Sequence, residues 1–315
     1  MKKTLPLLIL FLPSLLISCK KKNSFPVEAS PISKAIKLET QTITKEQLDR
    51  IPEAYRVKVE NGGTIEHITY LSKRYFGDGS QNEKKANVYL PAGYDKSDSS
   101  KKYKVLYLMH GIGGDENEWG MKDENSLVKK MMDNLTVKGD IQPFIIVTPN
   151  GRSGFDGNPD NNYLAFYEFG KELRNDLIPY MDSHYQTYPD RDHRAMAGLS
   201  MGGMQTINIG ICECLDLISY FGAFSAAPTS YDAARVSSAL TSHPELPVNY
   251  FYNICGTEDS IAYKAHSAAA KLLPRLTDTL KEQENFRWQE QHGGHDFGIW
   301  NLGFYNFAKI FGTSK

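Results

Sequence analysis

The chain of 315 residues sets 36 lysines and arginines against 37 aspartates and glutamates, and 41% of it is hydrophobic. That balance leaves no field to draw in nucleic acid or another polyanion, and the apolar content suffices for a sizeable core. The length alone suggests about two domains, but α/β enzymes of this size commonly fold around one sheet, so a single domain over residues 46–315 is expected.

Lys2 and Lys3 precede an apolar run, residues 5–17, that is too short to span a bilayer comfortably, so residues 1–19 read as a secretory signal. Leu16, Ile17, Ser18 and Cys19 resemble the lipobox of bacterial lipoproteins. This predicts cleavage before Cys19, a lipid on that cysteine, and an exported protein anchored to a membrane, periplasmic or at the cell surface. Residues 20–45 open on Lys20, Lys21 and Lys22 and are polar enough to serve as a tether.

Residues 45–54 suggest a short helix or turn, and residues 64–75 alternate apolar and polar as an antiparallel strand does. A polar loop over 77–85 leads to a second strand over 86–90, and the patch 95–102 reads as a hairpin-like connection. Residues 104–109 and 142–147 are apolar throughout, the mark of central parallel strands, with a helix over 125–135 between them. Beyond a loop over 150–162, a helix is expected over 164–184, then a strand over 194–197 and a helix over 203–212. Strands over 218–224 and 248–255, a helix over 262–284, a strand over 286–289 and a helix over 300–311 complete the chain. Alternating strands and helices of this kind imply an α/β fold: a mostly parallel sheet of about eight strands with helices on both faces.

Between the strand at 194–197 and the helix at 203–212 stand Gly198, Leu199, Ser200, Met201 and Gly202, a G-x-S-x-G pattern in its strand-to-helix context. A serine hydroxyl is too weak an acid to attack a carbonyl unaided, so it needs a base, and the base needs a group to fix its tautomer. Candidates follow in the order Ser, acid, His. Asp259, in the loop after the strand 248–255, is the expected acid, with Glu258 the alternative; His295, in a glycine-rich loop, is the expected base, with His292 its competitor. Two backbone amides should hold the developing oxyanion, one from Met201 and one from Ile112 in the loop after residues 104–109. His110 is expected to brace that loop. Asn117, Trp119 and Trp300 are candidate substrate contacts, and the loop 150–162, with Phe155 and Asp156, should rim the site. Cys212, Cys214 and Cys255 are most simply buried thiols, with a bridge between Cys255 and one of the others as the alternative. No metal-binding spacing and no phosphate-binding loop occurs, so no cofactor is expected.

The segments VYLPAGYD (88–95), VLYLMHGIGGDENEW (105–119), DRDHRAMAGLSMGG (190–203), GTEDS (256–260) and GGHDF (293–297) together resemble the esterase-D-like α/β-hydrolases. They are most similar to family 1 of the carbohydrate esterases, including the feruloyl esterase module of a cellulosomal xylanase, over residues 51–311. The resemblance implies Ser200, Asp259 and His295 as nucleophile, acid and base, and Ile112 and Met201 as oxyanion donors. It further implies an esterase acting through an acyl-enzyme on plant cell-wall polysaccharide or oligosaccharide esters, a feruloyl esterase first. An acetylxylan esterase, an acyltransferase of the same fold, or a carbohydrate-binding protein on a dead esterase fold are the alternatives.

Overall fold

The computed structural model describes residues 47–314, so the signal, the lipobox at Cys19 and the tether lie outside the described residues. Eight strands form one sheet: β1 (Thr64–Lys73), β2 (Gln81–Leu90), β3 (Val105–Met109), β4 (Ile145–Pro149), β5 (Arg194–Leu199), β6 (Tyr220–Phe224), β7 (Tyr250–Gly256) and β8 (Phe286–Gln291). Their spatial order is β1-β2-β4-β3-β5-β6-β7-β8. The pairs β1–β2 and β2–β4 are antiparallel and every later pair is parallel. This is the mostly parallel α/β-hydrolase sheet expected from the sequence.

Strand β3 shows why the centre was readable. All of its residues are buried; Val105, Tyr107 and Met109 join one core, while Leu106 and Leu108 join the other, as the two-residue period of a strand requires when both faces are covered. Helices α1 (Leu127–Val137) and α6 (Phe297–Thr313) cover one face through Met131, Met132, Leu135, Phe304, Phe307 and Phe311. On the other face lie α2 (residues 169–184), α3 (residues 201–211), α4 (Ala233–Ser242) and α5 (Tyr263–Leu276), through Leu173, Met181, Ile207, Val236 and Leu273.

Several boundaries differ from expectation for identifiable reasons. Strand β2 begins at Gln81, in what reads as loop, because its first half pairs with β1 in a hairpin whose side chains are mostly in solvent; polar residues there carry no alternation to detect. The segment 95–102 is no hairpin, since β4 lies between β2 and β3. Helix α5 stops at Leu276, two residues beyond Pro274, and Thr277 turns to extended backbone. The side chain of Asn285 then folds residues 277–285 into a compact turn, donating to the Val248 and Thr279 carbonyls and accepting from the Lys281 amide. Helix α4 was not anticipated, although Asp232 caps it by accepting from the Arg235 amide at 2.9 Å.

Candidate active site

Strand β5 delivers Ser200 to the carboxyl end of the sheet, and α3 begins at the next residue. Ser200 holds φ 51° and ψ −113°, a region that disfavours a side chain by about 1–3 kcal/mol. The surroundings enforce it: the Ser200 amide donates to the Phe224 carbonyl at 3.0 Å, and the Ser200 carbonyl accepts from the amides of Met204 (3.0 Å) and Ala227 (2.9 Å). A Cβ on Gly198 would sit 2.6 Å from the Gly202 backbone, and one on Gly202 would sit 2.6 Å from the Met109 carbonyl oxygen. The two glycines therefore let β3, β5 and α3 close around the serine.

His295 joins this elbow from the loop after β8. Its Nε2 lies 3.0 Å from Ser200 Oγ, and its Nδ1 lies 2.7 Å from Asp259 Oδ2. Asp259 is wholly enclosed and its other oxygen accepts from the amides of Ile261 (3.0 Å) and Ala262 (2.8 Å). Burial alone would raise the Asp259 carboxyl, but the Ala262 amide and the His295 imidazole outweigh it and hold the group below the usual carboxylate range. The acid loop and the histidine loop are bound to each other: the Thr257 amide donates to the Gln291 carbonyl (2.8 Å) and the Glu258 amide to the Gly293 carbonyl (2.9 Å). That approach leaves no room for a side chain at Gly256, whose Cβ would be 2.2 Å from the Gly293 oxygen.

The competing residues fall elsewhere. Glu258 turns outward with 65% of its side chain exposed, where it faces His292 at 3.8 Å. Asp296, the carboxylate next to His295 in sequence, instead caps α6, accepting from the Gly298 amide at 2.7 Å.

Facing Ser200 across the end of the sheet is the loop after β3. Neither the Ile112 nor the Met201 amide has an acceptor among the described residues, so both are free to donate. His110 braces the loop as expected: the Gly151 amide donates to Nε2 at 2.8 Å, leaving Nδ1–H to donate to the Gly111 carbonyl at 2.7 Å. Burial pushes the His110 pKa down to about 4, which keeps the ring neutral in that tautomer. Two further groups fix the loop and were not anticipated. Glu118 accepts from the Gly111 amide at 2.5 Å. The Arg152 guanidinium, lying over the Phe166 ring, reaches back from the loop after β4 to donate to the carbonyls of Gly114 (2.7 Å) and Ile112. Nothing in the sequence marks Arg152, because 40 residues separate it from Ile112.

The three candidate substrate contacts take partners within the protein. Trp119 is 3% exposed, donates its Nε1–H to the Met109 carbonyl at 3.0 Å, and packs on Phe224, Phe297 and Phe304; it supports the loop from beneath. Asn117 Oδ1 accepts from the Asn87 side-chain amide at 3.1 Å. Trp300 is 8% exposed and stands edge-on against the His295 ring at 5.1 Å, backing the imidazole. Cys212, Cys214 and Cys255 are free thiols. Cys255 lies under the acid, its sulfur 3.6 Å from Asp259 Oδ2, and burial pushes its pKa up to about 12.

Residues 79–304 match a family model described as "Putative esterase". An endo-1,4-beta-xylanase/feruloyl esterase from Xylanibacter ruminicola is 35% identical over 210 residues, covering 66% of this chain and 26% of the relative. Endo-1,4-beta-xylanase Y from Acetivibrio thermocellus is 30% identical over 275 residues, covering 82% and 23%. The chain thus spans about a quarter of the length of these two relatives. Among solved structures, a CE1 ferulic acid esterase from the anaerobic fungus Anaeromyces mucronatus, also seen in complex with ferulic acid, superposes with TM-score 0.69 at 29% identity, covering 85% of this chain and 98% of that one. A feruloyl esterase module from Clostridium thermocellum complexed with sinapinate gives TM-score 0.69 at 26% identity, covering 84% and 94%.

Proposed function

Because this chain belongs to the esterase family, we propose that it is a serine esterase that releases hydroxycinnamoyl groups, ferulate first, from arabinoxylan or its fragments. The observation that carries the reading is the hydrogen-bonded row from Asp259 through His295 to Ser200, closed by two amides with no acceptor among the described residues. The names of the relatives support the acyl group.

In the proposed cycle His295 Nε2 takes the Ser200 proton as Oγ adds to the ester carbonyl, and Asp259 stabilises the imidazolium. The Ile112 and Met201 amides donate to the oxyanion, each contributing about 3 kcal/mol to transition-state stabilisation. Collapse breaks the C–O bond to the sugar, His295 Nε2–H protonates the departing alkoxide, and the acyl group stays on Ser200. Water then gives a proton to His295 and attacks the acyl-enzyme; the second tetrahedral intermediate expels Ser200, which recovers the proton, and ferulate leaves.

Hydrolysis of methyl ferulate by wild type and by Ser200→Ala tests this reading. Loss of about 10⁴-fold or more is expected in the variant, and an inactive wild type would sink it. Acetylated xylan run alongside decides the acyl group: strong deacetylation with no action on feruloyl esters would replace the assignment with acetylxylan esterase. We also propose that the enzyme is displayed on a bacterial membrane through a lipid on Cys19. Radioactive palmitate should label the wild type and not Cys19→Ala; equal labelling of the two would refute the anchor.

A further inference from the structure

Beside the oxyanion loop lies a cleft of about 470 Å³ that has no part in the cycle above. One wall is the β1–β2 hairpin and the other is the loop of residues 150–162. Arg152 connects it to the site, since the same guanidinium that holds the Ile112 and Gly114 carbonyls also lines the cleft.

The walls are fastened to each other. The Phe76 amide donates to the Ser153 carbonyl at 2.7 Å and the Asn150 amide to the Lys85 carbonyl at 3.3 Å. Beneath them the buried Lys84 ammonium donates to the carbonyls of Asn150 (2.9 Å) and Arg152 and pairs with Glu172 at 3.3 Å. A cleft built this way stands open before a ligand arrives, so binding there requires little ordering of the protein.

Its chemistry narrows the occupant. Arg74 and Lys85 offer donors, Glu83, Asp115 and Glu116 offer acceptors, Asn82 and Asn162 offer both, and Phe155, 41% exposed, offers an aromatic face. Lys84 and Arg152 are already engaged with protein groups, which leaves Arg74 and Lys85 facing three carboxylates, and mixed charge of this kind does not select a polyanion. A hydroxycinnamoyl group is flat and largely apolar, and it would leave most of these polar groups desolvated without partners. A sugar matches: its hydroxyls both donate and accept, and its ring carries a C–H face that can lie on Phe155.

We propose that this cleft binds the glycan that carries the ester, holding sugar units of the polysaccharide next to the scissile bond. The assignment rests on the esterase reading above and names the alcohol side of its substrate. Turnover of methyl ferulate and of a feruloylated arabinoxylo-oligosaccharide by wild type and Phe155→Ala provides the first test. The ratio of kcat/KM for the oligosaccharide ester to that for the methyl ester should fall about tenfold in the variant; an unchanged ratio would overturn the proposal. The second test removes chemistry altogether: an unesterified arabinoxylo-oligosaccharide is titrated into Ser200→Ala and into Ser200→Ala with Phe155→Ala, followed by NMR. Saturable binding weakened about tenfold by the second substitution is expected, whereas no saturable binding, or binding indifferent to Phe155, would overturn it. Should the wild type cleave neither ferulate, the feruloyl reading fails and the titration alone decides the cleft.

Discussion

Ser200 and Ile112 stand on opposite sides of the same small space, yet they are held there by different means. At Ser200 the backbone does the holding: three carbonyl–amide bonds clamp the residue, and glycines at 198 and 202 let β3 and α3 approach to distances that no side chain would permit. At Ile112 the backbone supplies a single turn bond, from the Gly114 amide to the Gly111 carbonyl at 3.2 Å, and side chains fix that turn in place: Glu118 on the Gly111 amide, His110 bridging Gly111 and Gly151, and Arg152 on the carbonyls of Ile112 and Gly114. The first construction is local and sterically forced. The second is assembled over a long sequence separation and rests on a few hydrogen bonds, so single substitutions should loosen it without unfolding the chain.

The largest expected effect lies on the serine side. Asp259→Asn keeps the shape of the acid but reverses which tautomer of His295 is favoured, and kcat should fall by about 10³- to 10⁴-fold. Glu258→Gln, one residue away and turned to solvent, should change kcat by less than about threefold. Steady-state kinetics on methyl ferulate separates the two, and similar losses in both would mean that the buried carboxylate does not orient the base.

Next comes the steric half of the comparison. Gly202→Ala would drive a methyl group into the Met109 carbonyl, and overpacking of this kind destabilises by about 1–3 kcal/mol. Urea unfolding should show that loss together with a collapse of activity, because the elbow must open to admit the group. An alanine variant of normal stability and activity would show that the glycine is not needed for closure.

On the oxyanion side the loss should be smaller and of another kind. Arg152→Ala frees two carbonyls of the loop, letting the Ile112 amide wander, and kcat on methyl ferulate, which has no glycan to fill the cleft, should drop about 10- to 100-fold with KM little changed, since an oxyanion donor acts chiefly in the transition state. Arg152→Lys should not rescue it, because one ammonium cannot reproduce a fork that serves two carbonyls. Full rescue by lysine, or a loss confined to KM, would argue for a role in holding substrate instead.

The same contrast explains what could be read in advance. Strands β3 to β7 were legible because burial on both faces writes continuous apolar runs, and the elbow because its steric demand writes glycine at fixed spacing. Asp259 and His295 were found from their order and their place after strands, without knowledge that their loops bind each other through residues 256–258 and 291–293. The first half of β2 was missed because a solvent-facing hairpin leaves no hydrophobic period. Arg152 and Glu118 were missed because a side chain that serves a distant carbonyl or amide leaves no trace in local spacing. The burial of Trp119 and Trp300 was not legible for a related reason: an aromatic beside a catalytic loop has the same composition whether it faces the ligand or supports the loop from the core.

His110 offers the finest distinction between the two constructions, because its contribution to the oxyanion loop depends on a neutral ring. Its pKa is pushed down to about 4 in the folded protein by burial, against about 6.5 in an unfolded chain. Between those values the unfolded state binds the proton and the folded state does not, so stability is greatest above pH 6.5 and falls as pH drops toward 4, by up to about 1.4 kcal/mol per pH unit, levelling off below. His266 acts in the same sense, lowered to about 3 by burial, its Nδ1 accepting from the Ala226 amide. Each histidine should therefore account for up to about one proton taken up on unfolding in this window. Urea unfolding of wild type and His110→Gln from pH 7 to pH 4.5 reads this directly: the variant starts less stable but loses stability more slowly. Parallel pH profiles would mean that the ring is protonated in place, and a charged imidazole could no longer accept from Gly151; the loop would then be held by Glu118 and Arg152 alone.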